Sequence, residues 1–349
     1  MDAVCSNVKP DSFMFPLKSR VKTVIILLIL IAFIPALSIF SVATRRKNIR
    51  DEIFTSVPTT GQKIEFIYDG NPIEPPTIKD LLTRIVAAEM PANFEIEALK
   101  AQAIAAYTYV CYTLDQESRE ATNPDEPIKY ILKYQNHVEC TDENKMRERW
   151  GEKFEPNFRR IQRAVKSVLG LTIKDTQEKP IYAMFSSMSC GMTNNISDYF
   201  SKNQEELPYL ISVPCPGDKL EPKYLNVREF QVSEFEEKIN EYNQKDKIFT
   251  VNITKKPETW IEILAKSPSD YVTKVKILGT ELSGKQVREI FGLRSSSFDI
   301  EFKENKFIFT TRGFGHGVGM SQYGANWYAK QGYNYKEILE HFYPGTHIS

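Results

Sequence analysis

Hydrophobic residues recur at helical spacing from Ile78 to Ala88, with Leu81, Leu82, Ile85 and Val86 on one face. They recur again from about Glu95, where Ile96, Leu99, Ala103, Ala106, Tyr107 and Val110 fall three and four apart. Met90-Pro91 stands between the two patterns. Proline offers no amide donor and drives the preceding residue out of the helical region, so the spacing predicts a first helix ending near Glu89. Asn93 is placed to cap the second helix, and Glu95 and Glu97 suit the positive end of its dipole. Glu89 is thereby set at a break between two helices. Periodicity alone favours an exposed residue at a helix end. The apolar neighbours and small alanines also permit partial burial, which raises a glutamate from about 4.3 toward the roughly 6 to 7 that suits a general acid.

The rest of the chain mixes helix and strand patterns, so the expected fold class is α+β. Lys63–Tyr68 alternates as a strand closed by the turn Asp69-Gly70-Asn71-Pro72, and Gln116–Glu126 is polar enough for a surface loop. Phe158–Leu169 is an amphipathic helix stopping at Gly170, followed by short strands at Leu171–Ile173 and Ile181–Phe185. Within the charged stretch 216–257 a helix is predicted around Ser233–Tyr242. Then come a strand at Tyr271–Leu278, a helix at Ser283–Phe291 closed by Gly292, and a hairpin of Phe298–Phe302 and Lys306–Phe309 about Glu304-Asn305. Ser321 caps a helix running to Gln331, and Tyr335–Phe342 is the last helix, leaving His347 on the tail.

Composition changes this picture at one end only. The 45 basic and 45 acidic residues cancel, so no global field draws nucleic acid, and 349 residues at 42% hydrophobic content can bury a sizeable core. Thr23–Ala43 carries no charge over about 21 residues, enough to cross a hydrocarbon core of about 30 Å. It reads as a membrane span or a signal sequence. Ser41-Val42-Ala43 fits a small-x-small cleavage site, but the length of the run favours a retained anchor. The expected organisation is a short cytoplasmic tail at 1–22, a single-pass anchor at 23–43, a polar linker at 44–62 and an extracytoplasmic domain at 63–349. Cations flank the span on both sides and leave its orientation open. The five cysteines (Cys5, Cys111, Cys140, Cys190 and Cys215) are scattered and dictate no disulfide framework.

Three further stretches bear on chemistry. His137 and Cys140 supply two of the four ligands that a tetrahedral zinc site needs. Ser186–Asn195 is dense in hydroxyls and amides, which can hold a polar ligand or build turns. Arg312–Ala325 carries glycines at 313, 315, 317 and 319, but no Lys-Ser/Thr pair follows them and no βαβ unit surrounds them, so nucleotide binding is disfavoured.

Four blocks in this order resemble the stage II sporulation protein D family: Ala88-Glu89-Met90-Pro91 with Glu97–Ala106, then Ser187-x-Ser189-x-Gly191-x-Thr193, then Leu282–Phe298, then Gly315–Ala325. The matching blocks extend from about Ile64 to Thr346. The resemblance implies a peptidoglycan lytic transglycosylase of the cell membrane, acting in forespore engulfment on glycan strands already stripped of their stem peptides. It implies stage II sporulation proteins P and M as partners, and no nucleic acid. Glu89 maps to the catalytic acid, and Ser187, Ser189, Thr193, His316, Ser321 and Gln322 would line a glycan-binding groove. Cys190 stands where the family usually has glycine, and Ser186 where a histidine is often found. Some relatives hold zinc near the loop 134–146. This chain offers only His137 and Cys140 there, so no cofactor and no catalytic metal is expected. The same domain resembles amidase enhancers, which bind wall and stimulate another enzyme; in that reading Glu89 is a structural or glycan-contacting residue.

Overall fold

The computed structural model describes residues 64–68, 71–72, 77–120, 128–132, 138–200, 202–246 and 256–349. All of them belong to one compact unit, Phe54–Ser349. The chain runs β1 (Ile64–Tyr68), β2 (Asn71–Pro72), α1 (Ile78–Glu89), α2 (Ile96–Glu120), β3 (Ile128–Leu132), α3 (Glu143–Trp150), α4 (Phe154–Val168), β4 (Ile173–Lys174), β5 (Phe185–Ser186) and α5 (Ile196–Phe200). A second run holds β6 (Leu225–Gln231), α6 (Val232–Asp246), β7 (Ile261–Lys266), β8 (Val272–Ile277), β9 (Thr280–Leu282), α7 (Gly284–Phe291), β10 (Phe298–Lys303) and β11 (Lys306–Arg312). The chain closes with β12 (Met320–Ser321), α8 (Gln322–Lys330), α9 (Tyr335–Phe342) and β13 (His347–Ile348). The fold is α+β.

Two hydrophobic cores divide these elements. In the first, Ile78, Leu81, Ile85 and Val86 of α1 meet Leu99, Ile104 and Val110 of α2 and Ile161 and Val165 of α4. Alanines at 98, 101, 103, 105 and 106 bury α2 nearly all round, because small side chains let neighbouring backbones approach from several sides. The C-terminal segment returns to this core through Ile338, Leu339 and Phe342 of α9. There β12 pairs with β5 in parallel and β13 with β4 antiparallel, while Tyr343 donates its hydroxyl to Met184 O at 2.6 Å. The second core is aromatic and spans Phe230 to Phe309, between the two passes of the chain through the first. Phe235 stacks on Phe307 at 4.0 Å and lies 4.7 Å from Phe291, beneath the sheets β10-β11-β6 and β7-β8-β9.

Several expected elements form where the pattern placed them. Glu304 and Asn305 both take positive φ (52° and 60°) in the β10-β11 turn, as a two-residue hairpin requires. Ser283 and Gln286 make a reciprocal capping box on α7, and Gly292 ends it in the left-handed region. Other expectations are corrected. The surface loop expected from Gln116 is helical through Glu120, since Gln116, Glu117, Arg119 and Glu120 are residues that propagate a helix without needing burial. Asn93 does not cap α2; the first helical bond runs from Leu99 N to Glu95 O at 3.1 Å. Of the strand expected at Ile181–Phe185 only Phe185 lies in a strand: Ile181 N still donates to Ile173 O of β4 at 3.1 Å, but Ala183 N and Met184 N turn back to Ile181 O and Tyr182 O at 2.9 and 2.8 Å. His347 pairs in β13 rather than trailing. The four cysteines among the described residues, Cys111, Cys140, Cys190 and Cys215, are free thiols. The tail, the Thr23–Ala43 run, the linker, Asp69-Gly70 and His137 lie outside the described residues. Among the described residues no helix is long and apolar enough to cross a membrane.

Candidate active site

The Met90-Pro91 break is held from both sides. Met90 leaves the helix at φ −125°, ψ 145° while still donating its N–H to Val86 O at 3.0 Å, and Phe94 N closes the following turn on Pro91 O at 3.0 Å. Two guanidinium groups take carbonyls at this break: Arg149 of α3 donates to Ala87 O at 2.9 Å and Arg160 of α4 to Phe94 O at 2.7 Å. Cations are favourable where helix carbonyls lack partners. Glu89, the last residue of α1, is half-buried. Its Oε1 accepts the Glu139 N–H at 2.7 Å and its Oε2 accepts Gln322 Nε2 at 3.0 Å. Burial pushes the carboxyl up from 4.5 to about 7, against both hydrogen bonds, which favour the carboxylate, and with a small further push from the Glu139 charge. Desolvation wins, and the group can both give and take a proton near neutrality.

Gln322 opens α8 immediately after Ser321, whose Oγ caps the helix by accepting Gly324 N at 3.0 Å. The Gln322 Nε2 also lies 3.5 Å from Oε1 of Gln102, a fully buried residue of α2 whose own Nε2 has no hydrogen-bond partner among the described residues. Asn326 Oδ1 accepts Glu95 N at 2.8 Å, and the Tyr323 ring meets Phe94 edge-on at 5.0 Å. Thus α8 is fastened to both sides of the Glu89 break.

The remaining expected site residues divide by orientation. Ser189, Thr193 and Ser321 turn their hydroxyls inward. Ser189 Oγ and N donate to Asp218 Oδ2 at 2.6 and 2.7 Å, and Ser321 Oγ donates to the same buried carboxylate at 2.8 Å. Thr193 Oγ1 accepts Val213 N at 2.8 Å and donates to Ile211 O at 3.2 Å. Burial pushes the Asp218 carboxyl up, while the bonds from Ser189, Cys215 and Ser321 hold it down. Ser187 and His316 are half-buried and lie at the surface. Ser187 O accepts Tyr323 N at 3.1 Å, and His316 Nδ1 accepts Val318 N at 3.0 Å, which leaves Nε2 to carry the proton of a neutral ring. Two glycines on either side of His316 are required by contact: a Cβ on Gly319 (φ 72°) would sit 2.0 Å from Met184 O, and one on Gly315 (φ 112°) 2.8 Å from Ser186 Cβ.

Asp218 and Gln102 were not singled out from the sequence. Asp218 sits in a charged stretch with nothing to distinguish it. Gln102 did leave a signal: it is the polar residue on the otherwise apolar face of Leu99, Ala103 and Ala106. Of the His137/Cys140 pair, only Cys140 is described. It is buried, its thiol pushed up to about 12 by desolvation, and among the described residues no group of three His, Cys, Asp or Glu could hold a metal ion.

Residues 71–174, which carry Glu89, match the SpoIID family, described as Stage II sporulation protein. Residues 218–319, which begin at Asp218 and enclose the aromatic core, match a domain of unknown function (DUF8618). Stage II sporulation protein D of Bacillus amyloliquefaciens is 36% identical over 272 residues, covering 78% of this chain and 74% of that one. Its namesake from Bacillus subtilis (strain 168) is 35% identical over 272 residues with the same coverage. An amidase enhancer of Bacillus subtilis (strain 168) is 24% identical over 311 residues, 77% of this chain and 40% of that one. Identity at the level of the first two relatives, over most of both chains, makes this protein a member of the stage II sporulation protein D family.

Proposed function

We propose that this protein is a lytic transglycosylase that cleaves denuded peptidoglycan strands, with Glu89 as its single acid and base. The observation that carries the reading is the Glu89 carboxyl itself, poised at about 7 between a backbone N–H and the Gln322 amide. Most glycoside hydrolases use two carboxyl groups because water is the nucleophile. Here the muramic acid 6-hydroxyl replaces water. Protonated Glu89 gives its proton to the glycosidic oxygen; the bond to C1 breaks and its electron pair leaves with the departing sugar as a hydroxyl. The Glu89 carboxylate, stabilised by Glu139 N–H and Gln322 Nε2, then takes the proton of the 6-hydroxyl as that oxygen bonds to C1. The anhydro ring closes, no water is consumed, and Glu89 is protonated again.

In this reading Ser187 and His316 contact glycan, Gln322 orients Glu89, and Ser189, Thr193 and Ser321 hold the two loops in place through Asp218 and the backbone. Its setting is forespore engulfment, with Thr23–Ala43 as the membrane anchor, residues 44–349 facing the wall, and stage II sporulation proteins P and M as partners. The test is to offer denuded strands to the purified full chain in ¹⁸O-labelled water. Unlabelled anhydro ends support the reading, and labelled reducing ends indicate a hydrolase. Strands retained but uncut indicate the wall-binding alternative, which the similarity to an amidase enhancer favours.

A further inference from the structure

Arg159, Arg163 and Lys166 fall four and three residues apart on α4, so they share one side of the helix, opposite Ile161, Val165 and Val168 in the core. With Lys79 from the first turn of α1, and Gln162, they line a cavity of about 530 Å³, the size of a small-ligand site. Among the described residues no acidic side chain lines it. Two ion pairs reach these cations from its edge: Glu155 lies 3.4 Å from Arg159, both largely exposed, and Asp80 lies 3.7 Å from Lys79. Arg163 and Lys166 have no ion pair among the described residues. Like charges four residues apart destabilise a helix, and a face that served solvation alone would carry both signs, as α3 does with Glu143 and Arg147.

The cavity and Glu89 stand at opposite ends of α1. Lys79 and Glu89 are separated by roughly 15 Å along the helix axis. α4 runs antiparallel beside α1: Arg160 near its start reaches Phe94 O just past the Glu89 break, and Lys166 near its end reaches the cavity that Lys79 lines. The Lys79 end is also the end at which the chain enters α1, downstream of the uncharged run Thr23–Ala43.

We propose that this cavity takes the phosphate headgroup of an anionic membrane lipid and so sets the domain on the bilayer with its Glu89 end turned toward the wall. The inference rests on the anchored, wall-facing reading above. A phosphodiester suits the lining: Arg159 and Arg163 offer forked N–H donors to its oxygens, and Lys79 and Lys166 offer point charges. A lipid is favoured over a soluble phosphate because the cations lie at the anchor end of α1, where tethering holds headgroups at high effective concentration.

The test places the full chain in vesicles of phosphatidylcholine, alone or mixed with phosphatidylglycerol, and follows by mass spectrometry the rate at which a water-soluble reagent acetylates each lysine. Phosphatidylglycerol should slow Lys79 and Lys166 about fivefold, the factor for one cation held at an anionic surface. Lys145 and Lys153, exposed at the Glu89 end of α3 and α4, should keep their rates. Arg163→Gln with Lys166→Gln should abolish the slowing at Lys79, and the charge-matched pair Lys274→Gln with Lys276→Gln on β8 should preserve it. No slowing at Lys79 and Lys166, or equal slowing at Lys145 and Lys153, would overturn the proposal. Inorganic phosphate or poly(glycerol phosphate) added to phosphatidylcholine vesicles should not reproduce the slowing; if either does, the cavity belongs to a soluble phosphate or a wall polymer and the lipid assignment falls. Flotation scores the anchor separately: a chain that floats with phosphatidylglycerol vesicles but not with phosphatidylcholine ones refutes the anchor and not the cavity, and one that floats with neither refutes both.

Discussion

Glu89→Gln should stabilise the fold above pH 7 and cost it about 1 kcal/mol below pH 5. The folded carboxyl titrates at about 7 against an ordinary 4.5, so between those values the native state holds a proton that the unfolded chain has released. Wild-type stability must therefore fall as pH rises from 4.5 through 7, then level off. At about 1.36 kcal/mol per pKa unit the full fall is about 3 kcal/mol, an upper figure because the group keeps some contact with water. Glutamine cannot ionise and escapes this loss. It keeps an acceptor for Glu139 N–H but turns an amide N–H₂ toward Gln322 Nε2, and two facing donors sacrifice one hydrogen bond, about 1 kcal/mol, unless Gln322 rotates. The net gain is at most about 2 kcal/mol at pH 8. Urea unfolding of both proteins from pH 5 to pH 8 measures it. A stability difference that does not change with pH, or a wild type more stable than the variant at pH 8, would refute the claim that burial rather than pairing sets this carboxyl.

Three further outcomes follow from the same geometry. Asp218→Ala strands the buried N–H and hydroxyl of Ser189 and the hydroxyl of Ser321, and should cost about 3 kcal/mol or more in unfolding free energy while displacing Gln322; a melting temperature equal to wild type would show that the network bears no load. Gln102→Leu removes the second acceptor near Gln322 Nε2 and should lower kcat about fivefold, the worth of one ordinary hydrogen bond, with KM unchanged; a change in KM alone would place Gln102 elsewhere. Chelation should leave strand cleavage unaffected, and stoichiometric zinc lost on His137→Ala would overturn that expectation.

The site was legible in the sequence where backbone chemistry is strict. Met90-Pro91 ends a helix whatever surrounds it, and the alternating glycines and Ser321 set the start of α8 in the same way. Side-chain direction was less legible. The hydroxyls of Ser189, Thr193 and Ser321 look alike in sequence whether they face glycan or a buried carboxylate, and the carboxylate, Asp218, arrives from a stretch with no periodic signal. The strands β3 and β6 were missed for a related reason. β6 faces Asn226 and Arg228 as well as Phe230 toward the sheet's inner side and leaves Leu225 and Val227 exposed, which inverts the alternation that marks a half-buried strand. β3 is defined by parallel pairing with β1, more than fifty residues earlier, a partner that no local pattern can announce.

The most direct measurement is the rate at which Glu89→Gln, set beside wild type and Glu89→Asp, releases anhydro-ended saccharides from denuded strands, with strand binding followed in parallel. Glutamine keeps the shape and loses the transferable proton; aspartate keeps the proton and withdraws it by one methylene. Binding should persist in both variants, while cleavage drops by about 10² to 10⁴, the usual contribution of a positioned acid-base group. Cleavage by Glu89→Gln at the wild-type rate would contradict the single-carboxylate account.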